Sequence, residues 1–258
     1  MPKLSPGWSP GDEPTSELAR LIINAWFNDD FILAIIYGTP RIGKSAYALK
    51  VMHQVYDYLK GYSALETFRR FMGWEPSEVI KRWASLEGPI PCYTWDDAGC
   101  WLFSLKWSDP LLVEVQRYFN VIGTDIKCVI LTSPTPEWIL SKIGTMPGAY
   151  WIKITKRDGG TAHLGALPPS KRWAREATAY YPFKTPDLKS RRVRKRFYDE
   201  FSCRLAQDLY DEYGPIRKKY ALMVREAMRA EMLRQIKDRE EKGKSYGRDL
   251  NSEMRAPP

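Results

Sequence analysis

Residues Gly38-Thr39-Pro40-Arg41-Ile42-Gly43-Lys44-Ser45 constrain this chain more than any other stretch: a glycine, four residues, then Gly-Lys-Ser. Phosphate oxygens need many donors in a small space. A glycine-bearing loop offers bare backbone N–H groups, and the helix that follows adds its positive end. In such a loop Lys44 reaches the β- and γ-phosphates and the Ser45 hydroxyl takes a place on Mg²⁺. Ala46 completes the cradle at the start of the helix. A plain glycine turn with an exposed lysine is the alternative reading, and context decides against it. The loop follows "FILAIIYG", an apolar run of the length of a doubly buried strand. It precedes a segment with helical spacing through Ala48, Val51, Val55 and Tyr58. Strand, loop, helix is the setting the phosphate chemistry requires, so the chain is expected to bind a nucleoside triphosphate with Mg²⁺.

The remaining sequence alternates strand and helix signals. "TSELARLIINAWF" reads as an amphipathic helix, and residues 44 to about 59 as another. "RRFMGW" reads as a short strand, "PSEVIKRWASL" as a helix, and "PIPCYTWDDAG" as a strand ending in two aspartates. "DPLLVEVQRYFNVIGTD" is helical, "KCVILTSP" a buried strand, "TPEWILSKIG" a short helix, and residues 149–167 two strands joined by an Asp-Gly-Gly turn. This order predicts α/β architecture with a mainly parallel sheet.

Asp96 and Asp97 at the end of the "CYTW" strand supply what a hydrolysing phosphate loop also needs. An acidic residue at the end of a neighbouring strand holds Mg²⁺, the place of Asp96. In the ATPases of the additional-strand class, which the motifs resemble, a second one orients the attacking water, which makes Asp97 the candidate general base. A turn or helix-cap pair of aspartates is the competing reading. Adjacent carboxylates after an apolar strand repel each other, which favours a cation nearby.

"GTPRIGKS" as Walker A, "YTWDD" as Walker B and the polar strand end "VILTS" together resemble the core of AAA+ and related additional-strand ATPases. "DDAG" followed by "ILTSP" is similar to small ATPases of archaeal viruses and plasmids, some described as DnaA-like. The resemblance covers about residues 30 to 156. It implies a P-loop NTPase with a five-stranded sheet flanked by helices, the Walker A and B strands flanking the "VILTS" strand, ATP as the nucleotide, and assembly into a ring or filament. It also makes Thr132, with Ser133 beside it, the residue that senses the γ-phosphate; a strand-end threonine satisfying its own backbone remains open. Asp97 stands where glutamate is usual and Thr132 where asparagine is usual. An arginine finger is expected shortly before residue 149, where only Lys142 occurs. Arg117, Arg172 and Arg175 are the other candidates, against ordinary solvated arginines.

Charge is placed unevenly. The net charge of +9 falls entirely after residue 168, a basic appendage on a neutral core. Lys189, Arg191, Arg192, Arg194, Lys195 and Arg196 crowd into eight residues. They predict salt-sensitive binding of nucleic acid, with DNA expected as the partner; a solvated face or an acidic protein partner is the alternative. Residues 191–213 and 216–241 read as two helices separated by Gly214-Pro215. The domains expected are a flexible lead over 1–14, the P-loop ATPase over 15–168 and a basic helical region over 169–258. Cys92, Cys100, Cys128 and Cys203 form no C-x-x-C pair, two histidines argue against a multi-histidine metal site, and no apolar run approaches the roughly 20 residues of a membrane helix. The expectation is a cytoplasmic protein with reduced cysteines. Three functions fit: a nucleic-acid-coupled ATPase, a nucleotide-gated DNA-binding module with slow hydrolysis, and a small-molecule kinase, which the DD pair and basic tail suit least.

Overall fold

The computed structural model of the protein describes residues 14–102, 110–156, 174–184 and 191–253. Along the chain the elements are α1 Glu17–Asn28, β1 Ile32–Tyr37, α2 Lys44–Lys60, α3 Ala64–Phe71, β2 Met72–Gly73, α4 Pro76–Ala84 and β3 Tyr93–Trp95. They continue as α5 Pro110–Tyr118, β4 Cys128–Ser133, α6 Ser141–Gly144, β5 Ala149–Lys156, β6 Ala174–Lys184, β7 Arg191–Ser202 and α7 Gln207–Glu253. Two compact units result, residues 1–209 and 210–258.

The sheet has seven strands in the order β2-β3-β4-β1-β5-β6-β7. β2, β3, β4, β1 and β5 run parallel, and β6 and β7 are added antiparallel. The expected five-stranded parallel sheet is therefore corrected to a seven-stranded mixed one. As expected, β4 lies between β1 and β3. The addition also carries the sheet past the boundary expected at residue 168.

β1 is buried from Ile32 to Ile36 because both faces are covered, which is why it reads as an unbroken apolar run. With a side-chain period of two, Leu33 and Ile35 join Trp95, Val129, Leu131 and Trp151 in the core on one face. On the other face α2 lies against β1, β3 and β4, where the Thr94 hydroxyl meets Met52 Sδ at 3.4 Å. α1 starts with Ser16 accepting from the Ala19 N–H and stops at Asp29 in the left-handed conformation.

Two helix expectations fail at the C-terminal end. Residues 191–202 are a strand rather than a helix, and α7 runs unbroken through Gly214 and Pro215. In "RRFMGW" only Met72–Gly73 is extended, the residues before it closing α3. The second strand and turn expected within 149–167 lie outside the described residues. The cysteines are free. Among the described residues no helix is long and apolar enough to cross a membrane.

Candidate nucleotide site

β1 ends at Tyr37, the loop turns back, and α2 begins at Lys44. The Gly38 N–H donates to the Pro134 carbonyl at 3.2 Å, tying the loop to the end of β4, and the Ile42 N–H donates to the Thr39 carbonyl at 3.3 Å. Gly43 occupies φ +111°, and a Cβ there would stand 3.0 Å from Cys203 Cβ. Only glycine satisfies both the backbone angle and the space. Having no side chain, Gly43 caps nothing, so the first-turn N–H groups of α2 are offered to an anion. Lys44 Nζ donates to the Gly38 and Thr39 carbonyls at 2.9 and 3.1 Å. The ammonium thus lies over the loop itself, and Pro40 and Arg41 form its outer bend.

Two of the three non-glycine residues with positive φ among the described residues belong to this site: Arg41 at 63° and Asp97 at 51°. Such conformations cost on the order of 1 kcal/mol or more each and cluster where geometry serves a ligand.

Asp96, fully buried, draws the site together. Its Oδ1 accepts from Ser45 Oγ at 2.9 Å and from Thr132 Oγ1 at 2.6 Å. Its Oδ2 accepts from the indole Nε1 of Trp74 at 3.1 Å. Thr132 Oγ1 also accepts from the Asp97 N–H at 2.7 Å. Ser45, Asp96, Asp97 and Thr132, predicted from three separate motifs, are therefore brought into one constellation by the adjacency of β3, β4 and the start of α2.

No family model matches the chain. It is similar to a viral protein, uncharacterized protein B-251 of Sulfolobus spindle-shape virus 1. The two are 29% identical over 212 residues, which cover 79% of this chain and 80% of the viral one. Among solved structures, the N-terminal domain of zonular occludens toxin from Neisseria meningitidis aligns with a TM-score of 0.40 and 13% identity, over 70% of this chain and 98% of that domain.

The oxygen donors fit Mg²⁺, which binds through one or two carboxylates completed by water and substrate phosphates. Asp96 would supply the carboxylate and Ser45 the hydroxyl. No group of three or more His, Cys, Asp or Glu side chains able to hold a metal occurs among the described residues.

The added hairpin grips the phosphate loop from outside. Arg175, at the start of β6 and 8% exposed, donates from Nε to the Ile42 carbonyl at 2.9 Å and from Nη1 to its neighbour Ala174 at 2.7 Å. Phe201 of β7 packs on Tyr47 of α2 with ring centroids 4.9 Å apart. Asp199 of β7 accepts from the Tyr47 hydroxyl, from Ser16 Oγ at 2.8 Å and from the Glu17 N–H at 2.8 Å, capping α1 and anchoring α2 together. Burial, then the Asp199 carboxylate, pushes the Tyr47 phenol well above its ordinary range. Burial also lowers the Lys50 ammonium, one turn further along α2.

Arg117 is exposed on α5 and paired with Glu114 at 2.8 Å, and Lys142 is exposed on α6. Arg172 and Lys189 lie outside the described residues. Arg191, Arg192, Arg194, Lys195 and Arg196, expected on a helix, lie on β7 at the edge of the sheet. Trp74 and Asp199 carried no sequence signal, because each acts through a partner distant in the chain.

Proposed function

We propose that this protein binds ATP with Mg²⁺ at the phosphate loop, hydrolyses it, and couples that cycle to DNA. The observation that carries the reading is Ser45 Oγ against Asp96 Oδ1 at 2.9 Å, where the start of α2 meets the end of β3. Phosphates would lie on the first-turn N–H groups of α2, and Lys44 would exchange the loop carbonyls for phosphate oxygens. Asp96 and Ser45 would hold the cation, which neutralises charge on the β- and γ-phosphates. Asp97, one residue on and half-buried, is the base for the attacking water. No N-K-x-D guanine-reading motif occurs in the chain, which favours ATP over GTP. The basic run around Arg191–Arg196 supplies the attraction to DNA phosphates.

A second reading, a nucleotide-gated DNA-binding module with slow hydrolysis, is favoured by one observation. The Thr132 hydroxyl is committed on both sides, donating to Asp96 and accepting from the Asp97 N–H, rather than being directed at water or phosphate. Steady-state ATP hydrolysis with and without duplex DNA, run beside Lys44→Ala and Asp97→Asn, separates the two. Stimulation by DNA that both substitutions abolish supports the coupled ATPase. ATP binding with background turnover in the presence of DNA supports the gated module, and absence of ATP binding defeats both.

A further inference from the structure

β5 pairs with β6 only from Arg175 to Tyr180, whereas β6 and β7 remain paired out to Lys184 and Arg191. Among the described residues, 181–184 and 191–194 are therefore a two-stranded ribbon with no third strand paired to it. Its sequence is Tyr-Pro-Phe-Lys against Arg-Arg-Val-Arg: four cations and no carboxylate. Pro182, paired with Val193, explains why the sheet stops there. A proline lacks a ladder donor, which a strand flanked on both sides cannot spare. A register shift at Ala179/Tyr180 leaves Arg196 as the extra residue of a bulge, and bulges bend a strand and sharpen its twist.

Because β6 runs antiparallel to β5, this ribbon leaves the sheet at the end opposite the phosphate loop. The base of the same hairpin holds that loop through Arg175 and Ile42. Edge strands carry charge in part to prevent unwanted pairing, lysine above all. Arg191, Arg192 and Arg194 within four residues are a concentration suited to phosphates.

We propose that this ribbon enters the major groove of duplex DNA, an inference that rests on the DNA-coupled reading above and names the form of the partner. Strands about 4.8 Å apart form a ribbon that fits a groove about 12 Å wide, a known mode of entry for two-stranded ribbons. The deep, narrow major groove of an RNA duplex does not admit it. A single strand offers no groove, so the geometry selects B-form DNA. The arginines of the ribbon supply the charge that the flanking phosphates require.

The test is fluorescence anisotropy of the full chain with a labelled 30-base-pair DNA duplex, its single strands and the matching RNA duplex, over a range of salt. Arg191→Ala/Arg192→Ala/Arg194→Ala is compared with Arg217→Ala/Lys218→Ala/Lys219→Ala on α7, each checked for folding by its thermal melt. A duplex whose cytosines carry glucosyl groups in the major groove completes the set. The ribbon variant is expected to lose about tenfold or more in duplex affinity, and its log K against log salt slope to fall by about 2 to 3. The α7 variant loses less, and glucosylation weakens the wild type. The inference is overturned if the ribbon variant binds like the wild type, if the α7 variant suffers the larger loss, if glucosylation has no effect, or if single strands or RNA bind as tightly as duplex DNA. A wild type that binds no DNA overturns this inference and the DNA half of the proposed function. ATP affinity measured on the same preparation then reports separately on the nucleotide half.

Discussion

Thr132 Oγ1 donates to Asp96 Oδ1 at 2.6 Å while accepting the Asp97 N–H at 2.7 Å, so one hydroxyl of β4 holds both aspartates that follow β3. Thr132→Val keeps the shape and removes the hydroxyl, leaving a buried carboxylate oxygen short of a donor and the Asp97 N–H short of an acceptor. Stability should fall by about 1–3 kcal/mol, and ATP turnover by about tenfold with ATP affinity little changed. Thr132→Ser should restore most of both. Urea unfolding and single-turnover kinetics measure the two effects, and unchanged turnover in Thr132→Val would remove Thr132 from the reaction.

Trp74 donates to the other oxygen of Asp96 at 3.1 Å, with its backbone carbonyl held by Trp95 Nε1 at 2.8 Å. An indole N–H is only a donor, so it fixes which carboxylate oxygen turns toward Ser45. Residues that orient a metal ligand change metal affinity about 10- to 100-fold when replaced. Trp74→Phe should therefore weaken Mg²⁺ binding in the ATP complex by about tenfold and leave ATP binding in EDTA within twofold. Equal losses in both titrations would mean that the substitution merely damages the fold.

Asp199 is 6% exposed and accepts from Ser16, Glu17 and Tyr47. Asp199→Ala strands four donors, the Leu18 N–H at 3.5 Å included, and is expected to cost about 3 kcal/mol in urea unfolding. Asp199→Asn retains an acceptor oxygen and should cost less. In a double-mutant cycle with Tyr47→Phe, a coupling of about 1 kcal/mol or more is expected for residues sharing one buried bond; additivity would show that the contact contributes nothing.

Gly99, in the turn after Asp97, lies against the end of β4. An added Cβ would stand 2.2 Å from Ser133 Oγ and 3.0 Å from Ser133 Cβ. Gly99→Ala should therefore destabilise by about 2 kcal/mol through overpacking. Adding Ser133→Ala should recover part of the loss by removing the nearer atom. A neutral single substitution, read by thermal melting, would contradict this packing.

Burial holds the His53 imidazole below its ordinary value of 6.5, against an opposing pull from Asp57. Between 6.5 and that lowered value the unfolded chain binds a proton that the folded chain does not, so stability falls as pH drops through this window. The contribution is fully present above 6.5. His53→Gln should flatten the decline in melting temperature between about pH 7 and pH 5. Parallel profiles for the two proteins would assign the decline to other groups.

The sequence by itself determined the strand–loop–helix from Ile32 to Lys60, the acidic end of β3, the polar end of β4, and hence the residues of the candidate nucleotide site. These signals are local: an apolar run, glycines at set offsets, a helical period, each legible within about ten residues. Tertiary structure decided the rest. Val193, Phe197 and Phe201 recur every four residues, a step close to one helical turn and equal to two strand repeats. Pairing with β6 resolved that ambiguity as strand. The same pairing turned a basic helix into the edge ribbon and set Asp199 beside Ser16, 183 residues away, and Arg175 beside Ile42, 133 residues away. Trp74 reached Asp96 only because β2 lies next to β3. A buried charge or an indole N–H finds its partner through the fold, and no local pattern records where that partner will be.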